Sequence, residues 1–171
     1  MSKTLQMLML MVAVVGLSAT PMLARSSRGP ADKATGGLVI EANNHARARV
    51  EFNAHEAHDE GGEAQGELRW YLLDDDGEVE RTITVDVSVV QVEDSTAWFA
   101  GEAIEDSRDD RKVGNWLYVK ATDGGSPAYE NDTIGWKWVG SENNAQDAVD
   151  GKDSSVNNKP ALEGNLVVHA K

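Results

Sequence analysis

Ala46-Arg47-Ala48-Arg49-Val50-Glu51-Phe52-Asn53-Ala54 alternates small or apolar residues with charged or polar ones at every step. In an extended chain successive side chains point to opposite faces. Ala46, Ala48, Val50, Phe52 and Ala54 therefore share one face, and Arg47, Arg49, Glu51 and Asn53 share the other. A strand with one dry and one wet face suits an antiparallel sheet. The same period recurs on both sides of this stretch. Leu68, Trp70 and Leu72 oppose Glu67 and Arg69, and Ile134, Trp136 and Trp138 oppose Thr133 and Lys137. No long segment carries a helical apolar stripe.

Turn chemistry separates the runs. Asp74-Asp75-Asp76-Gly77 is a hairpin signal, because Asp-Gly tolerates the positive φ of a tight turn. Asp123-Gly124-Gly125-Ser126-Pro127 marks a second, longer turn. The pattern predicts about eight strands, near 37–42, 46–55, 64–73, 79–93, 95–105, 114–122, 132–139 and 162–170. In the fourth the apolar phase shifts at Val89-Val90, which predicts a bulge or corner. The expected fold is all-β: a single antiparallel meander closed as a soluble β-barrel, with a β-sandwich as the alternative. A transmembrane barrel needs an apolar outer band, and the wet faces here hold Arg47, Arg49, Glu51, Glu67, Arg69, Lys120 and Lys137. Residues 140–160, rich in Asn, Asp and Ser, read as a long acidic surface loop.

The 171 residues allow one domain, and the formal net charge is −13. Such acidity argues against nucleic acid, whose phosphates require a basic face. The absence of cysteine excludes disulfides, thiolate metal sites and a cysteine nucleophile. Lys3, the apolar run Leu5–Leu17 and the small-residue exit to Ala24 form a signal-peptide pattern, too short for a membrane span. The expected organisation is a signal peptide over 1–24, a flexible lead-in over 25–35 and one β-domain over 36–171. The expected location is periplasmic or extracellular, without a transmembrane or lipid anchor after signal removal.

Several short motifs occur in order: Gly36-Gly37, Val50-Glu51-Phe52-Asn53-Ala54, Ala64-Gln65-Gly66-Glu67-Leu68-Arg69-Trp70 and Thr96-Ala97-Trp98-Phe99-Ala100-Gly101. They continue with Val119-Lys120-Ala121-Thr122 before the Asp123–Pro127 turn, Asp132-Thr133, and Leu162-Glu163-Gly164-Asn165-Leu166-Val167-Val168-His169. In this series the chain resembles the secreted bacterial module that follows choice-of-anchor P domains. The resemblance implies an exported β-rich module of no established activity, and it supplies no catalytic residues. Residues 140–160 and the high tryptophan content depart from it.

Three sets of side chains are candidates for chemistry. His55 and His58, with Glu56, Asp59, Glu60 and His45 nearby, are the densest metal-capable set, against a solvated polar turn as the plain alternative. Their spacing of three beside a strand is not the helical zinc pattern, which needs four. Asp123 and Asp132, with Glu130, flank a glycine turn and supply the oxygen ligands calcium favours; the alternative is that both carboxylates cap backbone N–H groups. Trp70, Trp136 and Trp138 lie on the apolar faces of their strands. On an exposed surface the paired Trp136 and Trp138 rings suit stacking of a sugar or another flat apolar ligand, and inside a barrel the rings either fill the core or line a ligand cavity. No nucleophile elbow, phosphate loop or nucleotide fingerprint is present, so no catalytic residue is assigned and no cofactor is expected apart from possible calcium. Three readings follow. The first is an exported non-enzymatic module with a structural or adhesive role toward an envelope or extracellular partner. The second is a carrier of a small apolar ligand or carbohydrate with a Trp-lined lumen, and the third is a metal-dependent hydrolase.

Overall fold

A computed structural model describes residues 31–42, 47–57, 62–125 and 129–171. Eight strands run antiparallel in sequence order and close on themselves: β1 (Lys33–Glu41), β2 (Arg47–His55), β3 (Gln65–Leu73), β4 (Val79–Glu93), β5 (Thr96–Asp106), β6 (Trp116–Thr122), β7 (Thr133–Val139) and β8 (Lys159–His169). The barrel expected from the alternation is the fold, and the sandwich alternative falls away. Expected and observed strands agree within a few residues, except that β1 begins early. Lys33, Ala34 and Thr35, expected in a flexible lead-in, pair with both β2 and β8.

The alternation acts as the sequence implies. Ala48, Val50, Phe52 and Ala54 are buried while Arg47, Arg49 and Glu51 are exposed. Inside the barrel Leu38, Val50, Leu68, Val85, Phe99, Val119 and Leu166 form one continuous core, with Phe52 and Phe99 rings 5.0 Å apart. Outside, ion pairs such as Arg49–Glu51 and Arg69–Glu67 stand where a lipid-facing barrel would carry an apolar band.

Two bulges set the inner face. Ser88 lies between register pairs Val87↔Gly101 and Val89↔Ala100, so Val85 and Val87 point inward and Val90 and Val92 resume that face, as the phase shift predicted. Ile104 lies between Ala103↔Val85 and Glu105↔Thr84, which turns Asp106 to the face of its partner Ile83. The Asp74–Gly77 hairpin also forms. Asp74 Oδ1 accepts from Asp76 N at 3.0 Å and Glu78 N at 2.8 Å, and Gly77 takes φ +86°.

The long loop expected over 140–160 is corrected: Glu142–Asp150 is a helix, α1. Ser141 caps it by accepting from Asn144 N at 3.3 Å, and Gly151 N closes it on Asp147 O at 2.9 Å. Ala145, Ala148 and Val149 cover an apolar patch on the outside of the barrel made by Val89, Trp98, Ala100 and Tyr118. The segment after α1 is pinned by a Lys137–Asp153 ion pair and by Tyr118 Oη donating to Asp153 O at 2.6 Å. Burial, with Asp153 nearby, pushes the Tyr118 hydroxyl well above its usual range.

The barrel closes through an uneven seam. β8 pairs with β1 from Lys33↔His169 to Ile40↔Ala161 but shares only two register pairs with β7, Thr133↔Pro160 and Ile134↔Lys159. Carboxylates extend that seam in place of a strand. Asp132, 2% exposed, accepts from Leu166 N and Gly124 N, each at 2.9 Å. Asp123 accepts from Val168 N at 3.1 Å and Gly125 N at 2.8 Å.

Candidate functional site

The inward face of a strand is set by parity, but whether an inward side chain meets core or space depends on its depth along the barrel. Phe52, Phe99 and their aliphatic neighbours fill the middle. Toward the end carrying the β3–β4 hairpin and the 107–115 turn the packing stops. There Trp70 and Leu72 of β3, Arg81 and Ile83 of β4, Leu117 of β6 and Trp136 and Trp138 of β7 surround a cavity of about 200 Å³, with Ala42 at its edge. Trp70 and Trp136 meet at a 4.5 Å ring-centroid distance and a 57° tilt, a stable aromatic geometry that fixes both rings.

The rim is held by charge. Arg81 reaches the buried Asp106 carboxylate with two parallel bonds, Nε at 2.8 Å and Nη2 at 2.5 Å. Asp106 also accepts from the backbone N of Arg108 at 3.3 Å and of Lys112 at 3.2 Å. The Arg81 bond, helped by those two N–H groups and opposed by burial, pulls the Asp106 carboxyl down to about 2. Asp106 thus folds the 107–115 turn back over the mouth and carries Lys112 with it. The Lys112 ammonium stands 4.4 Å from the centroid of the Trp138 ring, a cation–π contact. It has no carboxylate within 4.0 Å among the described residues, whereas Arg81 has Asp106 and Asp109.

The residues singled out in the sequence fall in three places. Trp70, Trp136 and Trp138 come together around the cavity. Asp123 and Asp132 come together at the β7–β8 seam, where all four carboxylate oxygens receive backbone N–H groups. His55 is half-buried at the end of β2, and His58 and His45 lie outside the described residues, as do Ser126 and Pro127. Among the described residues no three His, Asp or Glu side chains are arranged to hold a metal ion.

No family model, no curated protein and no solved structure matches this chain. The site is therefore read from its own chemistry.

Sequence reading passed over Arg81, Asp106 and Lys112. Arg81 had a signal, since it continues the inward phase of Ile83, Val85 and Val87. Asp106 had none. By parity it belongs on the face opposite Ala97, Phe99 and Ala103, and only the Ile104 bulge turns it inward.

Proposed function

We propose that this chain is a non-enzymatic binding barrel that holds a small, flat, apolar ligand in its Trp-lined mouth. The hollow itself carries the reading: three inward tryptophans bound a space that the core leaves unfilled. A dry cavity of about 150 Å³ is enough for benzene, so about 200 Å³ suits one ring with a short substituent. The lining supports binding over catalysis, since among the described residues it includes no carboxylate, imidazole or hydroxyl side chain. A sugar would need several fixed hydrogen-bonding partners, and apart from the indole N–H groups Arg81 and Lys112 are the polar side chains offered. The resemblance to modules that follow choice-of-anchor P domains implies no activity and leaves this reading to the pocket. The signal pattern over 1–24 supports an exported binder.

The five tryptophans provide the test, because Trp98 and Trp116 pack with the outer cluster under α1 and not with the cavity. With indole nitrogens labelled for NMR, neutral phenol is expected to shift the Trp70, Trp136 and Trp138 signals and leave Trp98 and Trp116 in place. Equal movement of all five, or none, defeats the reading.

A further inference from the structure

We infer that the ligand is an anion: a one-ring aromatic or similarly flat acid whose carboxylate is received by Lys112. This rests on the binding-barrel reading and adds the charge of the ligand to it. The chain has 29 acidic and 16 basic residues, yet among the described residues the charged side chains lining the cavity, Arg81 and Lys112, are both basic. Their states differ. Arg81 is neutralised by the bidentate Asp106 pair with Asp109 at 3.5 Å, and its role at the mouth is to hold Asp106 and the wall. Lys112 has no carboxylate within 4.0 Å among the described residues, and it is held by the Trp138 ring and by its own backbone N–H on Asp106.

A cation held over an aromatic face and partly screened from water attracts an anion more strongly than a freely solvated lysine does. A ring entering beside Trp70 and Trp136 finds apolar walls in Leu72, Ile83 and Leu117, while Lys112 offers a place for a negative head. The surrounding protein carries excess negative charge, which lowers affinity for anions in general. Selection must therefore come from this local pairing, and it weakens as salt screens it.

Phenylacetate and its neutral isostere phenylacetamide separate the outcomes, with affinity measured by calorimetry and the indole NMR signals as the locator. Phenylacetate is expected to bind about tenfold more tightly, equivalent to about 1.4 kcal/mol. Lys112→Gln should bring the phenylacetate-to-phenylacetamide ratio near one, and the ratio, not either affinity alone, is the readout. High salt should act in the same direction on the native protein. Equal affinity of the two probes, or a preference that survives Lys112→Gln, overturns the anion inference and leaves the pocket reading standing. Failure of both probes to bind at about 10 mM, a standard free energy near −2.7 kcal/mol, overturns both.

Discussion

Asp132→Ala tests the proposition that a carboxylate replaces strand pairing where the barrel closes. In the native chain Asp132 receives Leu166 N, a buried contact, and Gly124 N, from an exposed residue. β7 and β8 share only two register pairs, so no neighbouring carbonyl of β7 stands ready to take Leu166 N. An orphaned buried N–H costs about 1–3 kcal/mol, while one that water can reach costs about 0.5–1.5. The expected loss for Asp132→Ala is about 2–4 kcal/mol, a large share of an ordinary domain's 5–15. Asp132→Asn keeps one acceptor but turns an amide donor toward an N–H, and should fall between native and alanine at about 1–2.5 kcal/mol. Urea unfolding gives the energies, and hydrogen exchange at the Leu166 amide shows whether the seam opens locally before the barrel unfolds. Asp75→Ala, on the exposed hairpin tip, is the control and should stay within about 0.5 kcal/mol. An Asp132→Ala loss no larger than that of the control refutes the surrogate-strand argument. So does a rise in native melting temperature with added calcium, since oxygens saturated by N–H donors have nothing to give a cation without breaking the seam.

Two further outcomes follow from the same physics. Asp106 has its carboxyl lowered from 3.8 to about 2 by Arg81, so its contribution is fully present above about pH 4 and is lost as pH falls through 4 toward 2. The stability gap between the native chain and Asp106→Asn, followed by acid unfolding, should narrow across that window; a gap independent of pH contradicts the assignment. Gly164 sits on β8 at φ +105° with Gly37 O only 1.9 Å from where a Cβ would stand. Gly164→Ala should cost about 2–4 kcal/mol in urea or heat. Gly37→Ala, whose methyl meets nothing within 4 Å, should cost under about 1 kcal/mol, and equal costs would show that β8 is not held this close to β1.

The barrel was legible because a two-residue period is a local property. Arg47–Ala54 announces its faces without knowing its partners, and eight such runs with turn residues between them leave few ways to bury one side. The helix was not legible for a converse reason. Its buried face is Ala145, Ala148 and Val149, small residues among Asn, Gln and Asp, and such a stripe carries little apolar signal. Its reason to form lies elsewhere in the chain, in the outward Val89, Trp98, Ala100 and Tyr118 that would otherwise face water. Asp123 and Asp132 were legible as turn residues beside glycine. That their second oxygens reach 45 and 34 residues onward to β8 was not.

The pocket lies between these cases, and the difference is one of depth. Parity shows that Trp70, Trp136 and Trp138 point inward, yet inward residues at mid-barrel and at the rim have the same local pattern. Depth is decided by register, which turns and bulges far from the tryptophans fix. The pairings Trp70↔Val50 and Leu72↔Ala48 set how far up the barrel the β3 side chains stand, and Trp70 and Leu72 reach the hollow while Ala48 stays in the core. Lower down, Phe52 lies so close over Gly36 that a Cβ there would stand 2.7 Å from its ring, so the same barrel is filled tightly in one half. The Ile104 bulge then places Asp106 opposite Ile83, and Asp106 fixes both Arg81 and the turn bearing Lys112. A single register irregularity in β5 thus sets the carboxylate that anchors Arg81 and the Lys112 turn at this end of the barrel. Deleting Ile104 removes the extra residue but leaves Glu105 opposite Thr84 and Asp106 opposite Ile83. The Arg81–Asp106 pair should therefore survive, read as a retained acid-dependent stability gap against Asp106→Asn; loss of that gap refutes the register argument.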